Sequence, residues 1–152
     1  MHEAPPPQAV LFACGHNAVR LPMAAALLRQ MRGKTLYVAS AGVRTAALDP
    51  FAVAVMEEIG LDIAAHRPMT FEELEDFEGL NFDLIVTLAP EAHHKALALT
   101  HRLAAEVEYW PIADPTGVEG NRAQRLDAYR AARDQIEARL RARFLPSVVG
   151  NE

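Results

Sequence analysis

The chain is predicted to form a single-domain, three-layer α/β fold with a central four-stranded parallel sheet and helices on both faces. Two observations carry this prediction. Apolar, strand-like runs alternate with segments of helical periodicity along the chain, which is the pattern of successive β-α-β units. The 152 residues suffice for one domain with a sizeable core, and the 51% hydrophobic and 23% charged residues are typical of a globular protein.

Four apolar runs predict the strands. Residues 8–13 and 35–40 are the first two, and Ala41-Gly42 is expected to end the second. Residues 82–88 form the clearest strand, and residues 107–110 form a short fourth one.

The helices are predicted from apolar spacing and from their end signals. Asp49 and Pro50 suit the N-cap and the first position of the second helix, and Thr70 with Glu73 forms a capping box for the third. The predicted helices are 21–32, 51–59, 71–77, 90–102 and 122–144.

Composition excludes several classes of function. The net charge of −5 argues against non-specific nucleic-acid binding, and no apolar run approaches the ~20 residues that a membrane span needs. One cysteine fits a reducing compartment, so a cytoplasmic location is expected. Residues 1–7 are expected to be a flexible Pro-rich arm without the features of a secretion signal, 8–146 the domain and 147–152 a short tail.

The first strand runs directly into Cys14, the only cysteine, and Arg20 follows after five residues. A loop between a strand and a helix N-terminus is a natural anion site, because backbone N–H groups and the helix dipole converge there. The sequence therefore predicts a phosphate-binding loop after the first strand. Its expected phosphate-binding residues are Gly15, His16, Asn17, Ala18, Val19 and Arg20. The alternative is that Cys14 is simply a buried small hydrophobe.

Nucleophilic displacement at such a site also needs an acid for the leaving oxygen. Asp114, followed by Pro115, lies in the loop after the last predicted strand, at the same end of the sheet as Cys14. Asp49-Pro50 repeats the dipeptide, but a helix follows at once, so we interpret Asp49 as a helix cap.

The segment from Val10 to Ala24 resembles the active-site loop of low-molecular-weight protein tyrosine phosphatases, a family that includes arsenate reductases of the same fold. Further segments resemble the family in order along nearly the whole chain. They are Ser40-Ala41-Gly42, Asp49-Pro50-Phe51-Ala52, residues 58–63, His66-Arg67, residues 82–86 and Asp114-Pro115.

The resemblance implies a role for each matching residue. Cys14 would be the nucleophile and form a phosphocysteine, Arg20 would bind phosphate, and Asp114 would act as general acid and then general base. Asn17 would brace the loop. Neither a metal nor an organic cofactor is implied.

The loop departs from the family pattern at three positions. His16 stands where Gly is usual, Val19 where a second Cys is frequent, and Leu21 where a Ser hydroxyl would stabilise the thiolate. Leu21 should therefore leave the pKa of Cys14 higher than is usual in the family. Thr116 and Gly117 replace the aromatic residues that wall a phosphotyrosine, so tyrosine specificity has less support than phosphate binding.

Three functions remain open. The first is a phosphatase acting on a phosphorylated protein or a small phosphomonoester. The second is an arsenate reductase, which would need an external thiol because no second cysteine can form a relay. The third is a phosphate- or phosphoprotein-binding relative with weakened catalysis. Oxyanions such as phosphate, sulfate or arsenate are the expected ligands, and neither nucleic acid nor membrane is an expected partner.

Other residues are weaker candidates. His93, His94 and His101 lack the carboxylate or thiol that would complete a metal site, so we interpret them as part of a solvated helix. Tyr109-Trp110 could line the pocket or lie in the core. Arg44 and Arg67 could form a basic rim.

Overall fold

The computed structural model describes residues 7–16, 18–100 and 103–145. Its single sheet has four parallel strands in the order β2-β1-β3-β4, flanked by helices, which confirms the predicted fold class. The strands are β1 (Ala9–His16), β2 (Tyr37–Arg44), β3 (Leu84–Thr87) and β4 (Glu106–Tyr109).

Five α-helices and one 3₁₀ turn are found in the described part of the chain. The helices are α1 (Arg20–Arg32), α2 (Pro50–Glu57), α3 (Phe71–Glu78), α4 (Pro90–Leu99) and α5 (Arg122–Phe144), and the 3₁₀ turn spans Pro115–Gly117. Asp49 caps α2 and the Thr70–Glu73 capping box begins α3, both as predicted. None of these helices is long and apolar enough to cross a membrane.

Two apolar clusters cover the two faces of the sheet. In β1, Val10, Phe12 and Cys14 belong to the cluster that includes residues of α1, α2 and α5. Leu11 and Ala13 belong to the cluster under α3 and α4. This alternation is the two-residue period of a strand buried on both faces. It directs the Cys14 side chain towards the layer that contains α1 and α5.

The first two strands are longer than the sequence predicts. Ala41-Gly42 does not end β2, because parallel pairing continues past it: Cys14 pairs with Gly42, and His16 with Arg44. Short apolar runs locate the centre of a strand but not where its pairing stops. Cys14, Gly15 and His16 consequently belong to the end of β1 rather than to a free loop.

Other boundaries differ by a few residues. Helix α2 ends at Glu57 instead of residue 59, and α4 ends at Leu99. The predicted end of α4, at residue 102, lies outside the described residues. The same holds for the expected tail and, except for Pro7, for the expected N-terminal arm.

Candidate active site

Cys14 lies at the carboxyl end of β1, the end of a parallel sheet where ligands usually bind. Its side chain has no exposed surface. The backbone N–H groups of Gly15 and His16 hydrogen-bond to its sulfur and favour the thiolate. The thiol is therefore buried, with donors on one side of it.

Opposing effects set the acidity of this thiol. Burial is the largest, and it raises the pKa of Cys14 above its ordinary value because a thiolate is poorly solvated inside the protein. The positive charge of Arg20 and the two N–H groups act in the other direction, and the negative charge of Asp114 adds a smaller increase. The net pKa is raised, so Cys14 is a thiol at neutral pH in this state.

Arg20 is the first residue of α1, and its side chain is only 11% exposed. Its guanidinium Nη1 donates hydrogen bonds to the carbonyls of Ile112, at 2.7 Å, and Leu88, at 3.4 Å. These carbonyls follow β4 and β3, so Arg20 reaches across the carboxyl edge of the sheet. Its Nη2 lies 3.8 Å from Asp114 Oδ2.

Asp114 caps the 3₁₀ turn that follows β4. Its Oδ1 accepts hydrogen bonds from the backbone N–H of Thr116, at 3.0 Å, and from the Thr116 hydroxyl, at 2.8 Å. Its Oδ2 faces Arg20 and accepts no hydrogen bond from the described residues, so it can bind a proton or another donor. Thr116 was not predicted to act here, although an Asp followed two residues later by Thr is a recognisable turn signal.

The side chains of Arg20, Asp114 and Thr116 meet at one open pocket of about 380 Å³, and the buried Cys14 is not among the lining residues of that pocket. The predicted residues His16, Ala18, Val19, Arg20 and Asp114 all line it. The rest of the lining consists of Thr116 and residues 46–50, which lead into α2. Gly15 is buried next to Cys14, and Asn17 lies outside the described residues.

Asp49 lines this pocket as well as capping α2. Its Oδ1 accepts from the Phe51 N–H at 2.8 Å, and its Oδ2 accepts from the Tyr129 hydroxyl at 2.6 Å. Both oxygens are therefore engaged, whereas Asp114 keeps one oxygen towards the pocket. Of these two carboxylates in the pocket lining, only Asp114 therefore has an oxygen that accepts no hydrogen bond from the described residues. The contact with Tyr129 was not predicted, because the spacing in α5 marks this residue only as part of the helix's inner face.

Arg44 and Arg67, the residues of the expected basic rim, are not among the described lining residues of this pocket. Arg44 forms a two-pronged ion pair with Glu91, with N···O distances of 2.7 and 3.0 Å, and its Nε lies 3.4 Å from His16 Nε2. Glu91 lies so close to Gly15 that a Cβ there would come within 2.5 Å of its Oε1. Arg67 lines a separate pocket beside β2. Among the described lining residues, Arg20 is the only arginine at the candidate site.

The remaining candidates lie away from the pocket. Trp110 is buried in the core, and Tyr109 stacks on His93 with ring centroids 4.9 Å apart. His93 Nδ1 is 3.0 Å from the Thr87 hydroxyl. His101 lies outside the described residues, and within the described ranges no three His, Cys, Asp or Glu side chains form a group suited to a metal ion.

This arrangement suits displacement at a tetrahedral oxyanion. A guanidinium offers a planar pair of donors to two anionic oxygens, a sulfur lies at the end of the adjacent strand, and a carboxyl group faces the same pocket. The Arg20 guanidinium would neutralise part of the negative charge of an anion bound in this pocket.

Comparison with known proteins finds matches to one family. Residues 9–149 match the profile of the low molecular weight phosphotyrosine protein phosphatase family. A curated relative, an arsenate reductase from Bacillus subtilis strain 168, is 31% identical over 87% of this chain and 91% of its own length.

Solved structures agree with that result. A structure described as an arsenate reductase in the phosphate binding state has a TM-score of 0.72 at 25% identity, covering 89% of this chain and 95% of its own. A low molecular weight protein tyrosine phosphatase from T. tengcongensis has a TM-score of 0.68 at 25% identity, with 86% and 93% covered. The profile match spans nearly the whole sequence and includes every residue of the candidate site. The chain therefore belongs to the low molecular weight phosphotyrosine protein phosphatase family.

Proposed function

We propose that this protein is a cysteine-dependent enzyme in which Cys14 attacks the central atom of a tetrahedral oxyanion bound by Arg20. Asp114 protonates the oxygen that leaves. The observation that supports this most strongly is that Arg20 and Asp114 line one pocket at the end of the strand that carries Cys14. Attack requires the thiolate, so binding must be accompanied by loss of the Cys14 proton.

Arsenate reduction is the first candidate reaction, because the names of the B. subtilis relative and of the phosphate-bound structure favour it over ester hydrolysis. Cys14 would attack arsenic(V) and expel water, with Asp114 supplying a proton. An external thiol would then attack the Cys14 sulfur, releasing arsenite and leaving a mixed disulfide. A second thiol would restore Cys14, so two thiols are oxidised as arsenic(V) becomes arsenic(III). The chain needs this external supply because Cys14 is its only cysteine.

Phosphomonoester hydrolysis is the second candidate, and the single cysteine and Asp114 favour it. Cys14 would attack phosphorus, and Asp114 would protonate the leaving alcohol. Asp114 would then take a proton from the water that hydrolyses the phosphocysteine. Every group required is in the chain. The described pocket lining contains no Phe, Tyr or Trp, which favours a small phosphomonoester or an aliphatic phosphorylated side chain over phosphotyrosine.

The two reactions are separated by assaying one enzyme preparation in two ways. The first assay follows thiol-dependent formation of arsenite, and the second follows phosphate release from an aryl and an alkyl phosphate. Cys14→Ala should abolish whichever activity is present, and Asp114→Asn should lower kcat about 10²- to 10⁴-fold, the range for a lost general acid.

The outcomes are distinct. Arsenite formation without ester turnover selects the reductase, and the converse selects the hydrolase. Wild-type rates no higher than those of Cys14→Ala in both assays would contradict the proposal, and tight phosphate binding in that case would select a non-catalytic binding protein. A reducing compartment such as the cytoplasm would keep Cys14 available for either reaction.

A further inference from the structure

We propose that Asp49, held by the hydroxyl of Tyr129, is a positioning residue that fixes the anion-binding loop from outside it. The inference rests on the proposed function for its catalytic consequence, because the loop is taken to be the oxyanion site. Asp49 and Tyr129 lie 80 residues apart in sequence, on the approach to α2 and in α5. Their contact joins the long C-terminal helix to the pocket wall.

Besides the helical bond that its carbonyl accepts from the Val53 N–H, three hydrogen bonds hold Asp49. Its backbone N–H donates to the carbonyl of Ala18 at 3.2 Å, which is a direct link to the loop. Its Oδ1 accepts from the N–H of Phe51 at 2.8 Å, and its Oδ2 accepts from Tyr129 at 2.6 Å. A carboxylate bound on both oxygens holds its own backbone in place, so the N–H that reaches Ala18 is held as well.

The partner on α5 is also fixed. Tyr129 is 2% exposed, and its ring packs perpendicular to the Phe51 ring with centroids 5.3 Å apart. Burial and the hydrogen bond to Asp49 raise the pKa of Tyr129 well above its ordinary value, so its hydroxyl remains a donor throughout the physiological range. The charge of Asp114 contributes to the same shift.

The link to Ala18 has a consequence for anion binding. A trans peptide is planar, so fixing the Ala18 carbonyl towards Asp49 also fixes the Val19 N–H, which lies in the same plane and points in the opposite direction. Val19 is one of the predicted phosphate-binding residues, and both it and Ala18 line the pocket. Donors that already point at the oxyanion before the reaction stabilise it strongly, because the protein does not have to reorganise as charge develops.

Asp49 would also repel an anion in the same pocket if its charge were unscreened. The Phe51 N–H and the Tyr129 hydroxyl spread that charge through two hydrogen bonds. Removing the hydroxyl therefore loosens the loop and exposes negative charge, and both effects weaken oxyanion binding. If Asp49 served only as the cap of α2, removing the Tyr129 hydroxyl would have neither effect.

The test compares two tyrosines that each donate to a carboxylate. Tyr129→Phe removes the hydroxyl next to Asp49, and Tyr37→Phe removes the hydroxyl that donates to Glu78, beside a different pocket. For each variant we would measure the Tm, the Kd of inorganic phosphate, and amide hydrogen exchange of the peptide covering residues 15–20 without ligand. The wild type is the reference.

We expect Tyr129→Phe to raise the phosphate Kd about 3- to 10-fold and to speed exchange in residues 15–20. Tyr37→Phe should change neither, even if its Tm falls by as much. Asp49→Asn keeps a helix cap but removes the negative charge, so in combination with Tyr129→Phe it should weaken phosphate binding no more than Tyr129→Phe alone.

Unchanged phosphate affinity and unchanged loop exchange in Tyr129→Phe would overturn the inference, as would equal effects of the two tyrosine variants. Failure of the wild type to bind phosphate would instead count against the proposed function. The positioning role would then be decided by the exchange data alone.

Discussion

At the scale of single residues, Cys14, the proposed nucleophile, has a raised pKa. Burial disfavours its thiolate more than Arg20 and the N–H groups of Gly15 and His16 favour it. Leu21, which belongs to the same apolar cluster and is fully buried, supplies no hydroxyl to the thiolate. Negative charge on the sulfur must therefore be stabilised mainly by Arg20 and the backbone.

The substitution Leu21→Ser tests this account of acidity. A hydroxyl that donates to the thiolate should lower the pKa of Cys14 by about one to two units, since a hydrogen bond to a charged group contributes ~1.5–3 kcal/mol. The pH dependence of iodoacetamide alkylation should then shift to lower pH. Leu21→Ala is the control, because both variants leave a cavity but only Ser adds a hydroxyl. Either cavity should cost ~2–5 kcal/mol of stability. Equal profiles for Ser and Ala would contradict the prediction.

At the scale of secondary-structure elements, the site is assembled from the carboxyl ends of the strands. Strand β1 delivers Cys14, the segments after β3 and β4 supply the carbonyls that hold Arg20, and the 3₁₀ turn presents Asp114. The turn fixes the orientation of the Asp114 carboxyl group. The backbone N–H and the hydroxyl of Thr116 both donate to Oδ1, and Oδ2 faces Arg20.

Thr116→Val should impair this presentation. The side chains have nearly the same shape, but the Val side chain cannot donate to Asp114 Oδ1. Only the backbone N–H of residue 116 would then hold this oxygen, so the carboxyl group gains rotational freedom. We expect kcat to fall roughly 3- to 10-fold in whichever reaction the enzyme performs, with an unchanged Kd for phosphate. Thr116→Ser restores the hydroxyl and should recover most of kcat. A change in phosphate affinity without a change in kcat would argue against a role through Asp114.

Much of this assembly follows from local sequence signals. The caps at Asp49 and Thr70 use side chains within three residues of the bonds they make, so they are readable from the sequence. The extension of β1 and β2 beyond Ala13 and Ser40 depends on pairing between distant segments, and a short apolar run does not encode where pairing stops.

The residues of the candidate site also divide into those that the sequence predicts and those whose contacts depend on how distant elements pack. Cys14, Arg20 and Asp114 were predicted from spacing and resemblance, and Arg20 and Asp114 lie together at the pocket. The bond between Tyr129 and Asp49 could not be predicted, because it depends on how α5 lies against the start of α2. Arg44 looked like a rim cation, but its partner Glu91 is 47 residues away in sequence.

At the scale of the whole molecule, one half-buried imidazole makes stability depend on pH. His66 lies beside β2, with its Nε2 3.5 Å from the Ser40 hydroxyl. Burial, with a contribution from the charge of Arg29, lowers the pKa of His66 from 6.5 to about 4. The unfolded chain therefore binds a proton near pH 6.5 that the folded protein accepts only near pH 4.

The contribution of His66 to stability is complete above pH 6.5 and is lost as the pH falls towards 4. Allowing for its partial exposure, we expect the free energy of unfolding to decrease by roughly 1 kcal/mol more between pH 7 and pH 5 in the wild type than in His66→Gln. Urea denaturation at the two pH values measures this difference. His94→Gln, at an exposed position of α4, should keep the wild-type dependence. A His66→Gln variant with the wild-type dependence would contradict the assignment.

The central claim is that an oxyanion binds directly over Cys14, in contact with Arg20. Protection of Cys14 from alkylation by inorganic phosphate tests it most directly, because the measurement needs no knowledge of the substrate. We predict that phosphate slows alkylation of the wild type in a saturable way, and that Arg20→Gln, alkylated at the same pH, loses this protection. Alkylation unaffected by phosphate that is bound to the protein would contradict the claim, because the oxyanion would then lie elsewhere.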